Sequence, residues 1–410
     1  MTIEHFITYL LGGQLPQYDF ADVQVNENDK EIVLFLKRRE AEPYICSVCG
    51  QGSLFCYDTL KERCVEDLPF GENRVYLKFA ERRIVCPYCG KIHIEKLPGI
   101  TPKSRQTDRF RLRLARECED ASVSAVARRY GLNDETVRRI DKEFLAKREQ
   151  ISIMPICRRL GIDEIALKKG HFYATVFYDH DQKNVLHMIE GRKREDVEKF
   201  FKSMGKEWCE SVEEVTSDLW RAYKSAVKKY LPNAVIITDK FHVFKYCADA
   251  LDEHRRSEYA RQQDHAEFDL KKYRFLIQKA GSKLSNNGKK RLEQLKEANE
   301  DVYAGYLLKE QIYTFYAHES YDDASAYFIE WTNACIASGF NAFVKLGKRL
   351  KRHAESILMY FKHRISNAFA EGINNKIKVV KRMAFGFHDF EYFRLKILAA
   401  TGFLKPLVLQ

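Results

Sequence analysis

The sequence predicts a multi-domain α/β chain, and three observations predict it. Two Cys-x-x-Cys knuckles, Cys46/Cys49 and Cys86/Cys89, follow stretches of strand-like alternation at Glu31–Lys37 and Arg74–Phe79. From residue 156 to about 245 the pattern runs strand, strand, strand, helix, strand, helix, strand. From about 245 to 365 almost everything reads as helix, rich in Lys, Glu, Tyr and Phe and poor in Pro.

The 410 residues leave room for roughly two to four domains and a substantial core. A hydrophobic fraction of 45% excludes a disordered chain, and a net charge of +11 suits a polyanionic partner. No apolar run approaches the ~18 residues of a membrane span, and the first residues lack the basic start of a signal peptide. An intracellular protein is therefore expected. In that compartment the 11 cysteines read as metal ligands or buried thiols rather than a disulfide framework. The chain shows no internal repeat.

Residues 1–100 form the first expected unit. A Cys-x-x-Cys turn lets two thiolates reach one ion, and Gly50 and Gly90 follow the second cysteine of each pair, where a positive φ is useful. Cys46, Cys49, Cys86 and Cys89 are thus the expected ligands of a closed tetrahedral zinc site, with a hairpin spanning the 36 residues between the knuckles. Cys56, Cys64 and His93 lie nearby and are expected in core or surface roles.

Residues 101–150 read as helix-turn-helix. Thr107–Cys118 is one helix, Ser122–Tyr130 a second, and Glu135–Phe144 a third, with Gly131 at the turn and Asn133 or Asp134 as the cap. The third helix would enter a DNA major groove, making Thr136, Arg138 and Arg139 candidates for base or phosphate contacts.

The strand and helix order beyond residue 156 is that of a ribonuclease H-like domain. His171–Asp179 and Asn184–Glu190 flank a polar turn, Arg194–Met204 and Arg221–Tyr230 are helices, and Ala234–Thr238 is a short buried strand. This domain would comprise residues 156–245 and 356–395, interrupted by an all-helical insertion at 246–355.

Within it, Asp163 lies in a strand beside Ile162 and Ile165, Asp218 follows a second strand, and Glu371 sits in a later basic helix. A carboxylate buried in a strand is costly unless it is paired or metal-bound. Glu371 is one of two acids among eleven Lys and Arg residues in 341–382, which fits a metal ligand beside a phosphate backbone. Strand acids with one helix acid suit magnesium or manganese, hard ions that take oxygen ligands and clamp both oxygens of an in-line phosphoryl displacement. Asp239, followed three residues later by His242, is the rival for the second acid; the pair could instead support the site from behind. Lys376, Lys378 and Lys381 would meet DNA near the cut. Trp220 and Trp331 are expected in the core, with stacking on an unpaired base the alternative.

The stretch Gly161–Thr175, then Thr216-Ser217-Asp218 with Ala222-Tyr223, then Pro232-Asn233-Ala234 and Asp239–Val243, resembles bacterial insertion-sequence transposases of the ISL-three type. Asp67-Leu68-Pro69 and Arg82–Cys86, with the four cysteines, are similar to that family's zinc-binding N-terminal domain. The resemblance covers nearly the whole chain. It implies a DDE transposase with Asp163, Asp218 and Glu371 as its triad. Such an enzyme binds terminal inverted repeats in double-stranded DNA, cleaves there and joins 3′ ends to target DNA. A cytoplasmic, nucleoid-associated bacterial protein that assembles on DNA as a homodimer or higher is what the resemblance implies. The alternatives are a zinc and helix-turn-helix regulator with a silent catalytic fold, or a structure-specific nuclease.

Overall fold

A computed structural model describes residues 7, 11, 15–40, 42–168, 172–262, 268–366, 368–384 and 389–406. The chain divides into two units, Met1–Lys147 and Arg148–Gln410.

In the first unit, β1 (Tyr18–Asn26) pairs antiparallel with β2 (Glu31–Arg38). β3 (Tyr44–Ile45) and β4 (Gly52–Ser53) form a small hairpin. β5 (Cys56–Phe70) and β6 (Asn73–Val85) make a long antiparallel ribbon, and β7 (Ile92–Ile94) joins the far end of β6. β2 runs parallel to β6, giving the order β1-β2-β6-β5. Alternation explains the buried face: Val75, Leu77 and Phe79 of β6 point inward with Leu34, Leu36 and Val65, and Leu97 and Ile100 cover them. The strand expected at Arg74–Phe79 continues to Val85, which carries the ribbon up to the second knuckle.

Two ion pairs with buried carboxylates hold this unit together. Arg38 donates to Glu95 at 2.8 Å and to the carbonyls of Arg39, Glu42 and Pro43. Asp67 accepts from Thr107 Oγ1 at 2.7 Å and from Arg109 Nε at 2.8 Å. Thr107 caps α1 (Asp108–Asp120), so the sheet holds the start of the helical segment directly. α2 (Val123–Tyr130) is capped by Ser122 and ends at Gly131, whose φ of +64° closes a left-handed turn. α3 (Asp134–Ile151) follows and runs seven residues past the end expected from its sequence. Val126, Ala127, Val137 and Ile140 are fully buried, as the helical spacing requires.

In the second unit, β8 (Arg159–Lys168), β9 (Phe172–Asp179) and β10 (Asn184–Glu190) form an antiparallel meander. After α4 (Arg194–Met204) and α5 (Lys206–Ser211), β11 (Glu214–Ser217) pairs parallel to β8; after α6 (Arg221–Tyr230), β12 (Val235–Thr238) pairs parallel to β11. The sheet order is β10-β9-β8-β11-β12. Leu160, Ile162, Phe177 and Val215 on one face pack against Val197, Phe200, Phe201, Tyr223 and Val227 of α4 and α6. Burial of each such side chain contributes about 1.5–3 kcal/mol.

Helices follow: α7 (Lys240–Arg261), α8 (Arg274–Gln278), α9 (Asn286–Ala298), α10 (Glu300–Ala317), α11 (Tyr321–Ala337), α12 (Asn341–Arg352), α13 (Ala354–His363), α14 (Ala368–Met383) and α15 (Phe390–Ala400). Phe315, Phe328, Trp331 and Phe343 lie at the centre of the block. Gly347 lets α12 cross α11 closely, since a Cβ there would stand 2.9 Å from the Thr332 carbonyl.

His187 is half-buried against this unit's core, its ring stacked 5.1 Å from Phe200. Burial first, then Arg394, push it down from 6.5 to about 4. Between those values the unfolded chain holds a proton that the folded chain does not, so stability rises with pH across the window and is fully regained above the unfolded value. His187→Phe should therefore shrink the stability difference between pH 5 and 7.5 by about 2 kcal/mol in urea unfolding. An unchanged pH slope would refute a neutral His187.

Candidate active site

Strand register builds the site. β8 and β11 pair Val215 with Leu160 and Thr216 with Gly161, so two residues further on Asp218 falls level with Asp163. β11 and β12 pair Ser217 with Thr238, so the next residues, Asp218 and Asp239, are level as well. Neighbouring strands lie ~4.8 Å apart, and level positions on parallel strands point to the same face. Three aspartates therefore lie level on one face of the sheet, where β11 and β12 end.

His242, one turn into α7, stands among them. Its Nε2 is 3.6 Å from Asp163 and 3.9 Å from Asp239, and its Nδ1 is 3.8 Å from Asp218. Burial works against charge on His242, but contact with Asp163 and the charges of Asp218, Asp163 and Asp239 outweigh it and raise its pKa. Burial likewise raises the Asp163 carboxyl; His242, Asn374 and the Glu164 amide outweigh it and hold Asp163 below the usual carboxylate range.

Each acid is held in place. Asp163 accepts from the Glu164 N–H at 2.7 Å and from Asn374 Nδ2 at 2.9 Å. Tyr178 donates to Asn374 Oδ1 at 2.7 Å, which fixes which end of the amide faces Asp163. Asp218 accepts from the Leu219 N–H and the Tyr246 hydroxyl, both at 2.5 Å, and the Arg349 guanidinium lies 3.8 Å from the Tyr246 ring. Burial, then Asp218, push the Tyr246 hydroxyl well up, so it stays a donor. Asp239 caps α7 by accepting from the Phe241 N–H. Trp220, not Asp218, occupies the cap position of α6.

Glu371 is exposed on α14, one turn before Asn374 and on the same side of that helix. Phe369 packs edge-on against Tyr178 at 5.9 Å and His180 at 5.0 Å, so α14 docks on the sheet beside Asp163. Asp163, Asp218 and Asp239 thus meet around one imidazole, and Glu371 arrives alongside through Asn374. Among the described residues no three of these acids close to within 4.8 Å of one another. Lys376 and Lys378 are exposed on α14, and Lys381 is half-buried.

Asn374, Tyr178 and Tyr246 escaped the sequence reading. Asn374 had one available signal, its i,i+3 spacing from Glu371; the tyrosines had none. Trp220 corrects an expectation. Trp331 is buried at 2% exposure and donates to the Leu308 carbonyl, but Trp220 is 43% exposed, because the turn from β11 into α6 lifts it out of the core.

In the first unit the Sγ atoms of Cys46, Cys49, Cys86 and Cys89 all lie within 4.8 Å of one another, and Cys49 and Cys86 are 3.6 Å apart. Thiolates at ~2.3 Å from a tetrahedral ion are ~3.8 Å apart, so the cluster is compatible with zinc. Gly50 and Gly90 have φ of +74° and +66°, and each N–H bonds back to the first cysteine's carbonyl. Burial opposes the Cys46 thiolate, but the N–H groups of Cys49 and Val48 outweigh it and lower this thiol to about 7. Cys56, Cys64 and His93 stand outside the cluster. On α3, Arg138 and Arg139 are exposed and Thr136 half-buried; Arg138 pairs with Glu135 at 2.5 Å.

This is a mixed α/β chain with a helix-turn-helix segment and a domain of clustered carboxylates. The family described as "Transposase", of the ISL3 DDE type, matches residues 160–397, and the "Helix-turn-helix domain of transposase family ISL3" matches residues 95–145. The chain belongs to the ISL3 family of DDE transposases. It is 32% identical to the transposase for insertion sequence element IS1001 of Bordetella parapertussis, across 95% of this chain and 96% of that one. It is 25% identical to the transposase for IS1557 of Mycobacterium tuberculosis, across 90% and 89% of the two chains. Among the described residues no helix is long and apolar enough to cross a membrane.

Asn374→Ala should release α14 from Asp163. A hydrogen bond to a charged group is worth about 1.5–3 kcal/mol, so amide exchange at Ile373 and Ile377 should quicken by at least about ten-fold. Unchanged exchange would mean that α14 is held elsewhere.

Proposed function

We propose that this transposase binds the terminal inverted repeats of an insertion sequence, cleaves at the ends and joins the 3′ ends to target DNA by two-metal phosphoryl transfer. The observation that carries the proposal is the strand register that brings Asp163, Asp218 and Asp239 to one imidazole, with the Glu371 helix bonded to Asp163. The sheet order supports a ribonuclease H-like domain over 156–245 and 356–395, with 246–355 as a helical insertion, after a zinc-binding domain at 1–100 and a helix-turn-helix domain at 101–150.

Asp163, Asp218 and Glu371 would hold magnesium or manganese, for which an all-oxygen donor set is suited. When bound, the ions polarise the phosphate and make a water or 3′-hydroxyl nucleophilic. Asp218 is preferred over Asp239 as second ligand because its side chain is 26% exposed against 5%. Asp239 caps α7, and with His242 it orients the carboxylates. Asn374 holds Oδ2 of Asp163, and Oδ1, which accepts from the Glu164 N–H, is the oxygen nearer His242. Zinc at the four thiolates would brace the front end. Thr136, Arg138 and Arg139 would contact the end sequence, and Lys376, Lys378 and Lys381 the backbone near the cut. Two DNA ends must be joined in one event, which favours a homodimer or larger assembly on DNA in the bacterial cytoplasm, at the nucleoid.

Asp163→Asn should bind end DNA normally and lose cleavage by more than the roughly 100-fold typical of outer partners. A regulator with a silent fold would be indifferent to that change, and a nuclease would fail to join a pre-cleaved 3′ end supplied to the parent protein. Cys49→Ser, or zinc chelation, should impair end recognition before it affects metal-dependent chemistry; end binding that survives complete zinc removal counts against that role. Neutralising Lys376, Lys378 and Lys381 together should flatten the salt dependence of binding by about 0.9 for each phosphate that is no longer neutralised. An identical slope would place these lysines away from DNA.

A further inference from the structure

Trp208 and Trp331 are 8% and 2% exposed, leaving Trp220 as the open tryptophan of the three in the chain. It stands two residues beyond Asp218. The Arg192 guanidinium lies 5.2 Å from its ring and 4.1 Å from the ring of Tyr173. Arg192 is fixed in turn: Nη1 donates to both oxygens of Glu164 at 3.1 Å, and Glu164 follows Asp163 in β8. Tyr173 comes from β9, Arg192 from the segment after β10, and Trp220 from the turn after β11, so three elements assemble the group.

Glu164 and Tyr173 point to the α4/α6 face of the sheet, opposite Asp163, and the group reaches the acids' end of the sheet through Trp220, two residues past Asp218. Tyr223, one turn past Trp220, donates or accepts with Thr175 Oγ1 at 3.1 Å. Burial pushes its hydroxyl up, and the charges of Glu164, Asp163 and Asp218 add to this. An indole left open to water beside a clamped guanidinium offers a flat π-surface with positive charge behind it. Neutral, planar nucleobases stack on such surfaces irrespective of sequence, and the guanidinium suits the adjoining phosphate.

We propose that Trp220, backed by Arg192, Tyr173 and Glu164, is a stacking platform for one unpaired nucleobase of the DNA strand whose phosphate lies at the acids. The proposal rests on the acids being the cutting centre, but its test reads the platform separately. Quenching of the full chain's tryptophan fluorescence by an added ligand reports mainly on Trp220, as burial shields the other two from contact with it. An oligothymidylate should quench it, whereas an abasic phosphate chain of equal length and charge should not. Trp220→Phe should abolish the quench. Trp220→Ala should weaken oligothymidylate binding about ten-fold while leaving the abasic chain unaffected. Arg192→Leu, which leaves the indole in place, should reduce the quench. Equal quenching by the abasic chain, or a quench that persists in Trp220→Phe, would overturn the platform. Asp163→Asn should keep the quench while losing cleavage. If the parent protein quenches but never cuts terminal-repeat DNA with manganese, the cutting centre fails and the stacking site stands.

Discussion

Parallel pairing of β8, β11 and β12 in one register brings Asp163, Asp218 and Asp239 level on the same side of the sheet, and much of the second unit is arranged around the consequence. Like charges held this close repel one another, and the cost grows as water is excluded. His242 meets part of it from α7, and hydrogen bonds from Asn374, Tyr246 and two backbone amides meet more. A set of oxygen donors compensated in this way, and still partly open to solvent, suits divalent cations better than an isolated salt bridge would.

The helices do more than surround the sheet. α7 begins at the site with Asp239 and His242 and continues into the helical block, carrying Tyr246 to Asp218. α12 supplies Arg349 against Tyr246. Ser356 of α13 receives Lys224 at 2.7 Å and meets Thr238 at 2.8 Å, which ties α6 and β12 to the same block. α14 is set by Phe369 and Asn374 against β9 and Asp163. The helical block and the sheet therefore form one support for the carboxylates, and displacement of α14 would move Glu371 and the brace of Asp163 together.

The first unit follows a different balance of forces. A sheet with one modest apolar face is supplemented by two ion pairs with buried carboxylates, Arg38–Glu95 and Asp67–Arg109, and by a four-thiol cluster. Burial raises the Glu95 carboxyl and Arg38 counters it. Pairs of this kind cost much to break and fix geometry more than they add stability. Asp67 binding Thr107 and Arg109 makes the sheet and the first helix of the helix-turn-helix segment a single piece.

Local periodicity determined a large part of this protein. The limits of α4 and α6, the hairpin of β9 and β10, the helix-turn-helix with Gly131 at its turn, and the positive φ of Gly50 and Gly90 all follow from short-range rules written in the chain. Those rules depend on neighbours within a few residues, and so a sequence displays them. The acids were legible as strand and helix carboxylates, but their meeting was not. It depends on a pairing register between segments about 55 residues apart, and on α14 docking from more than 200 residues away. Tertiary structure alone decided that Asn374 reaches Asp163, that Tyr246 holds Asp218, and that Trp220 lies open beside Arg192 instead of in the core. Each of these contacts depends on where distant backbone comes to rest, and no local pattern of residues encodes that position.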